Sequence, residues 1–185
     1  ITFDDGYESV YDHALPILHR LGAKSTVFVV TGQVGETNHW DQEKGDVSEC
    51  MMGIDEILEA QKMGMEIGSH TLSHRLLPQL DTQTVFQELD RSKKELEDQL
   101  GIPITSICYP KGKFNRTVCR EAARAGYDVG RTTVAFRNTG GMTATVGVVE
   151  QIDRRRLRLG RRCRRLKLRL RLRLALRLGL RLAPG

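Results

Sequence analysis

The sequence predicts a parallel α/β fold, and three observations carry that reading. Strand-like and helix-like segments alternate from residue 1 to about residue 133. Each helix-like segment stops on a glycine that leads into the next strand. The chain has 185 residues, enough for one domain with a sizeable core but short for a complete eight-strand barrel.

The elements follow in order. An opening strand at Ile1–Phe3 begins without an initiator Met, so the chain reads as a fragment. A helix over 8–21 stops at Gly22 and gives way to the apolar run Ala23–Val30. A second helix over 54–63 stops at Gly64 before a strand at 65–67. The third, over about 82–100, sets Val85, Phe86, Leu89, Leu96 and Leu100 against a Lys/Glu-rich opposite side and ends at Gly101 before a strand at 104–107. The fourth, over 116–125, ends at Gly126 before a strand at 127–129. Glycine just past a helix end supplies the left-handed backbone of a C-cap. Four repeats of helix, glycine and strand after an opening strand specify a parallel sheet. A polar loop from Thr31 to Gly53 is longer than an ordinary connection, hence functional or mobile, and it holds the only tryptophan, Trp40.

Charge divides the chain. Of its 29 Lys and Arg, 14 lie from Arg154 onward with no acid among them, so the preceding residues carry 15 basic against 23 acidic side chains, a net of −8. Leu occupies every even position from 166 to 182, mostly with Arg between, a period of two kept far longer than a normal strand. That tail reads either as a basic amphipathic segment for anionic surfaces or as translation of a GC-rich, repeated or shifted frame. Function is not inferred from it, and no nucleic-acid partner is expected. The expected division is therefore a domain over 1–152 and a low-complexity tail over 153–185. Cys50, Cys108, Cys119 and Cys163 form no CxxC pair, and no run of 18 apolar residues exists.

Two strand ends carry chemistry. Thr2-Phe3-Asp4-Asp5-Gly6 places paired acids after the first strand, and Ser69-His70-Thr71-Leu72-Ser73-His74 places two histidines four apart after the third. An Asp-Gly pair is also an ordinary turn, and a lone His-x-x-x-His pair is weak evidence. Together, two imidazoles and one carboxylate make a facial ligand set that leaves open positions on zinc or another divalent ion. The second acid then stays free to accept a proton from a water. Cys108-Tyr109-Pro110-Lys111-Gly112, at the next strand end, reads as a turn before a helix capped by Asn115, or as a pocket wall.

These three segments, in this order and spacing over roughly residues 1–133, resemble the polysaccharide deacetylases, the NodB-homology domains of carbohydrate esterase family four. The resemblance implies an incomplete, irregular (β/α) barrel, C-terminally truncated or frameshifted, that hydrolyses an N-acetyl or O-acetyl group on a carbohydrate polymer such as chitin, peptidoglycan, poly-N-acetylglucosamine or xylan. It implies Asp4 as the base, Asp5, His70 and His74 as metal ligands, and a divalent cation, zinc first, with cobalt, nickel or manganese as options. Tyr109 then supplies a backbone N–H to the oxyanion, and Tyr109 and Pro110 line the substrate groove. The substrate partner is a carbohydrate polymer, placed outside the cytoplasm. The third motif departs from the family pattern, which has Arg where Cys108 stands and an aromatic where Lys111 stands. The family's late Leu-x-His acid has no counterpart, because no histidine follows His74. His13 and His19 read as helix-surface groups, and His39 as a loop residue near the pocket. A glycan-binding pseudoenzyme and a barrel hydrolase of small or cyclic amides are the alternatives.

Overall fold

The computed structural model describes residues 1–42 and 47–132. The expectations for 133–152 and for the Arg/Leu tail fall outside them. Five short strands lie side by side in chain order, every neighbouring pair parallel: β1 (Thr2–Phe3), β2 (Ser25–Val29), β3 (Met65–Ser69), β4 (Ser106–Cys108) and β5 (Val129–Arg131). Sequential parallel strands with helices between them are the start of a (β/α) barrel, and here they curl into an incomplete one. A π-helical turn, Val10–Ala14, runs into α1 (Leu15–Arg20); α2 (His39–Gln42) lies in the long loop; α3 (Ile54–Lys62), α4 (Thr82–Leu100) and α5 (Arg116–Arg124) complete the set.

All four helix-ending glycines adopt the left-handed backbone expected of them: Gly22 at φ 60°, Gly64 at 92°, Gly101 at 66° and Gly126 at 88°. After Gly22 and Gly126 the hydrogen bonds explain why the strand begins later than hydrophobicity suggests, whereas β3 starts directly after Gly64. The N–H of Ala23 donates to the Leu18 carbonyl and that of Tyr127 to the Ala122 carbonyl, so the residue after the glycine still closes the helix. Pairing into the sheet starts about two residues on.

Parallel strands are covered on both faces, and β2 is buried at every position. On its inner side Phe28 faces Gly68 across the ladder. A Cβ on Gly68 would come within 2.5 Å of the Phe28 ring and 2.8 Å of Ser106 Oγ, so only glycine fits there.

The apolar stripe of α4 is buried as its periodicity requires, through Val85, Leu89, Leu96 and Leu100, while Phe86 lies 3.9 Å beneath the Arg124 guanidinium of α5. That buried side also holds Glu88 and Ser92, one turn apart. Asp81 caps the helix by accepting from the Thr84 N–H at 3.0 Å, and Asn115 caps α5 by accepting from the Val118 N–H at 2.9 Å. Among the described residues, no helix is long and apolar enough to cross a membrane.

Candidate metal centre

The first strand ends in a turn that only a special backbone can make. Asp5 takes φ 73° and Gly6 φ 86°, and Gly6 presses against Val29, whose Cα would lie 3.3 Å from an added Cβ. The turn is tied down on both sides: the Asp5 carbonyl accepts from the Val30 N–H at 3.3 Å, and the Gly6 carbonyl from the Met52 N–H at 2.9 Å. The non-glycine residues with positive φ among those described are Asp5, Thr71, His74 and Lys111, one or two in each of the three sequence motifs. Such backbone is uncommon outside glycine and clusters at functional sites.

The histidine pair arrives from β3. His70 is 1 % exposed; its backbone N–H donates to the Val29 carbonyl at 2.7 Å. Its Nδ1 lies 2.8 Å from the Cys108 carbonyl, an acceptor only, so Nδ1 carries the proton and Nε2 presents a lone pair. The next turn returns His74 to the same point. Thr71 Oγ1 accepts from the His74 N–H at 3.1 Å, and the two imidazole centroids are 5.1 Å apart.

The three groups converge on one spot. Asp5 Oδ1 is 3.3 Å from His70 Nε2 and 3.3 Å from His74 Nε2, and the three ligand atoms lie within 4.8 Å of one another. Atoms held about 2.0–2.1 Å from a tetrahedral zinc are separated by about 3.3 Å, so this spacing and donor set fit a divalent cation. The Asp5 carboxylate draws positive charge, a proton or a cation, to His70 Nε2. Burial works against charge on His70, yet hydrogen bonding to Asp5 and to the Cys108 side chain outweighs it and raises the pKa well above the ordinary histidine value.

Asp4 stands beside this set without joining it. Its carboxyl pKa is raised, chiefly by burial, with His70 opposing and Asp5 adding to the rise. Asp4 Oδ1 is buried and makes no hydrogen bond to the described residues. The Cys108 thiol, at the position where the family pattern has Arg, is pushed up in pKa chiefly by its own burial.

The third motif lies partly within the sheet. The Tyr109 N–H, expected to face an oxyanion, donates to the Arg131 carbonyl at 3.1 Å as part of the β4–β5 ladder. The Tyr109 ring stacks on Phe114 at 5.6 Å and crowds Gly130, where an added Cβ would fall 2.5 Å from Oη. Burial lifts the phenol well above its usual pKa. Pro110 is also buried. The contact that the motif makes with the site is the Cys108 carbonyl on His70 Nδ1.

The sequence leaves one neighbour unassigned. Trp40, from α2 of the long loop, packs against His74 with ring centroids 4.4 Å apart and planes tilted by 40°. Its signal was being a lone tryptophan in an overlong loop. His39, next to it, is exposed, as are His13 and His19.

Comparison with known proteins agrees with this geometry. The family model described as polysaccharide deacetylase matches residues 1–130. YxkH of Bacillus subtilis (strain 168), whose name assigns it provisionally to the polysaccharide deacetylases, is 33 % identical over 133 residues, covering 72 % of this chain and 43 % of that protein. The poly-beta-1,6-N-acetyl-D-glucosamine N-deacetylase of Staphylococcus aureus (strain MSSA476) is 30 % identical over 139 residues, covering 70 % of this chain and 46 % of that protein. The structure of IcaB from Ammonifex degensii superposes with a TM-score of 0.69 at 27 % identity, covering 83 % of this chain and 67 % of that one. The chain thus spans less than half the length of these two curated relatives. The family model spans well over half of the chain, and the chain belongs to the polysaccharide deacetylase family.

Proposed function

We propose that this chain carries the metal-binding and base portion of a carbohydrate deacetylase that removes acetyl groups from a polymer of N-acetylglucosamine. The observation that carries the reading is Asp5 Oδ1 at 3.3 Å from both histidine Nε2 atoms, with Asp4 next in sequence and outside the set. Asp5, His70 and His74 hold the cation, and zinc best suits two imidazoles and a carboxylate, with cobalt, nickel or manganese able to take the same donors. When bound, such a cation polarises the acetyl carbonyl and acidifies a water.

The chain's own groups do the rest. The Cys108 carbonyl fixes the His70 tautomer, so that Nε2 stays available as a donor. Asp4 accepts the proton of the attacking water; its burial raises its basicity, which strengthens it for that task. Tyr109 is assigned no oxyanion role while its N–H belongs to the sheet. The name of the Staphylococcus aureus relative favours a β-1,6-linked N-acetylglucosamine polymer over chitin, peptidoglycan or O-acetylated xylan as substrate. Such polymers place the reaction outside the cytoplasm.

The test is acetate release from β-1,6-linked N-acetylglucosamine oligomers by the zinc- or cobalt-loaded full chain, with Asp4→Asn and His74→Ala beside it. Release that both substitutions abolish supports the reading. Release unchanged by either would sink it, and glycan binding with no release by the parent chain would mark a binding protein instead.

A further inference from the structure

We infer that Glu88, on α4, is a positioning residue that holds the His70–His74 turn in its metal-binding shape; this rests on the metal reading of that site. Glu88 is 6 % exposed and sits on the buried side of an amphipathic helix, beside Leu89. A carboxylate there is costly to bury unless every oxygen is used. Both oxygens are used, and on a single residue. Oε2 accepts from the Ser73 N–H at 2.9 Å, and Oε1 accepts from Ser73 Oγ at 2.5 Å. Ser73 is the residue immediately before His74, whose backbone is held at φ 57°.

A second anchor from the same helix face fixes the other end of the turn. Ser92, one turn beyond Glu88 and fully buried, meets Ser69 Oγ at 2.9 Å, and Ser69 Oγ accepts from the Thr71 N–H at 3.2 Å. Ser92 also meets Tyr127 Oη at 3.1 Å, and its carbonyl accepts from Thr31 Oγ1 at 3.3 Å. The turn between the two histidines is thus gripped at residues 69 and 73 by two side chains of α4. Removing the Glu88 grip frees Ser73 and lets His74 leave the left-handed conformation that aims Nε2 at Asp5. Groups that orient ligands in this way change metal affinity by about 10–100-fold when removed.

The chemistry separates this role from a plain structural one. Glu88→Leu puts an apolar side chain into an apolar stripe, and the gain in apolar burial offsets the two hydrogen bonds lost by the half-exposed Ser73, which can turn to water. Glu88→Gln keeps both contacts, since its amide oxygen accepts from the Ser73 N–H while its amide N–H donates to Ser73 Oγ. The experiment is cobalt(II) titration of the full chain followed by visible absorption, with thermal melting of the metal-free proteins alongside. Expected are cobalt affinity about tenfold or more weaker and an altered ligand-field spectrum in Glu88→Leu, near-parental values in Glu88→Gln, and no loss of thermal stability in Glu88→Leu. A parental affinity and spectrum in Glu88→Leu overturns the inference alone. Failure of the parental chain to bind cobalt overturns the metal reading together with it.

Discussion

Asp4 and Asp5 are adjacent carboxylates in different surroundings, and the separation is made by backbone. The left-handed turn at Asp5 sends its oxygen to the two imidazoles, while Asp4 is left outside the cluster with its Oδ1 buried. Substituting each one therefore separates binding from chemistry. Asp5→Ala is expected to abolish cobalt binding, whereas Asp4→Asn keeps it and lowers acetate release by about 10²–10⁴-fold, read by parallel titration and turnover. A buried site without room gives a stability prediction at this scale too. Gly68→Ala forces its methyl against the Phe28 ring and Ser106, and overpacking of this kind costs about 1–3 kcal/mol, measurable by urea denaturation.

Helix α4 is the element on which barrel and site depend together. Its stripe of Leu89 and Leu96, both fully buried, anchors the helix to the sheet, and its polar pair Glu88 and Ser92 reaches the histidine turn. Leu96→Ala leaves a cavity two turns from Glu88 and is expected to cost about 2–5 kcal/mol by denaturation. Helix α5 depends on its start in a simpler way. Asn115→Ala removes the acceptor of the Val118 N–H, with an expected loss of about 1 kcal/mol and no change in cobalt affinity.

At the scale of the whole molecule, the long loop is brought back over the strand ends. Buried Asn38 fixes its base: its side-chain oxygen accepts from the Glu49 N–H at 2.7 Å, and its own N–H donates to the Glu49 carbonyl at 3.2 Å. Two residues on, Trp40 lies against His74. As the chain's single tryptophan it reports on the site, so cobalt(II) binding is expected to quench its fluorescence, and His74→Ala to remove that quenching at the same cobalt concentrations. Fluorescence that ignores cobalt while visible absorption records binding would show that Trp40 does not rest on His74 in solution.

Local sequence was enough to point to the alternation of strand and helix, the four left-handed glycines and the cluster of Asp5, His70 and His74. Each of these depends on groups close along the chain or on residue types at strand ends, where a parallel fold gathers them. Tertiary structure alone decided which partners those groups meet. The Tyr109 N–H pairs with Arg131, 22 positions away, and Glu88, which nothing in the sequence singles out, is buried against Ser73. Trp40 gained a role only when its loop folded onto His74. A hydrogen bond or ring contact between distant positions leaves no periodic trace in sequence, because its geometry is set by the packing of whole elements.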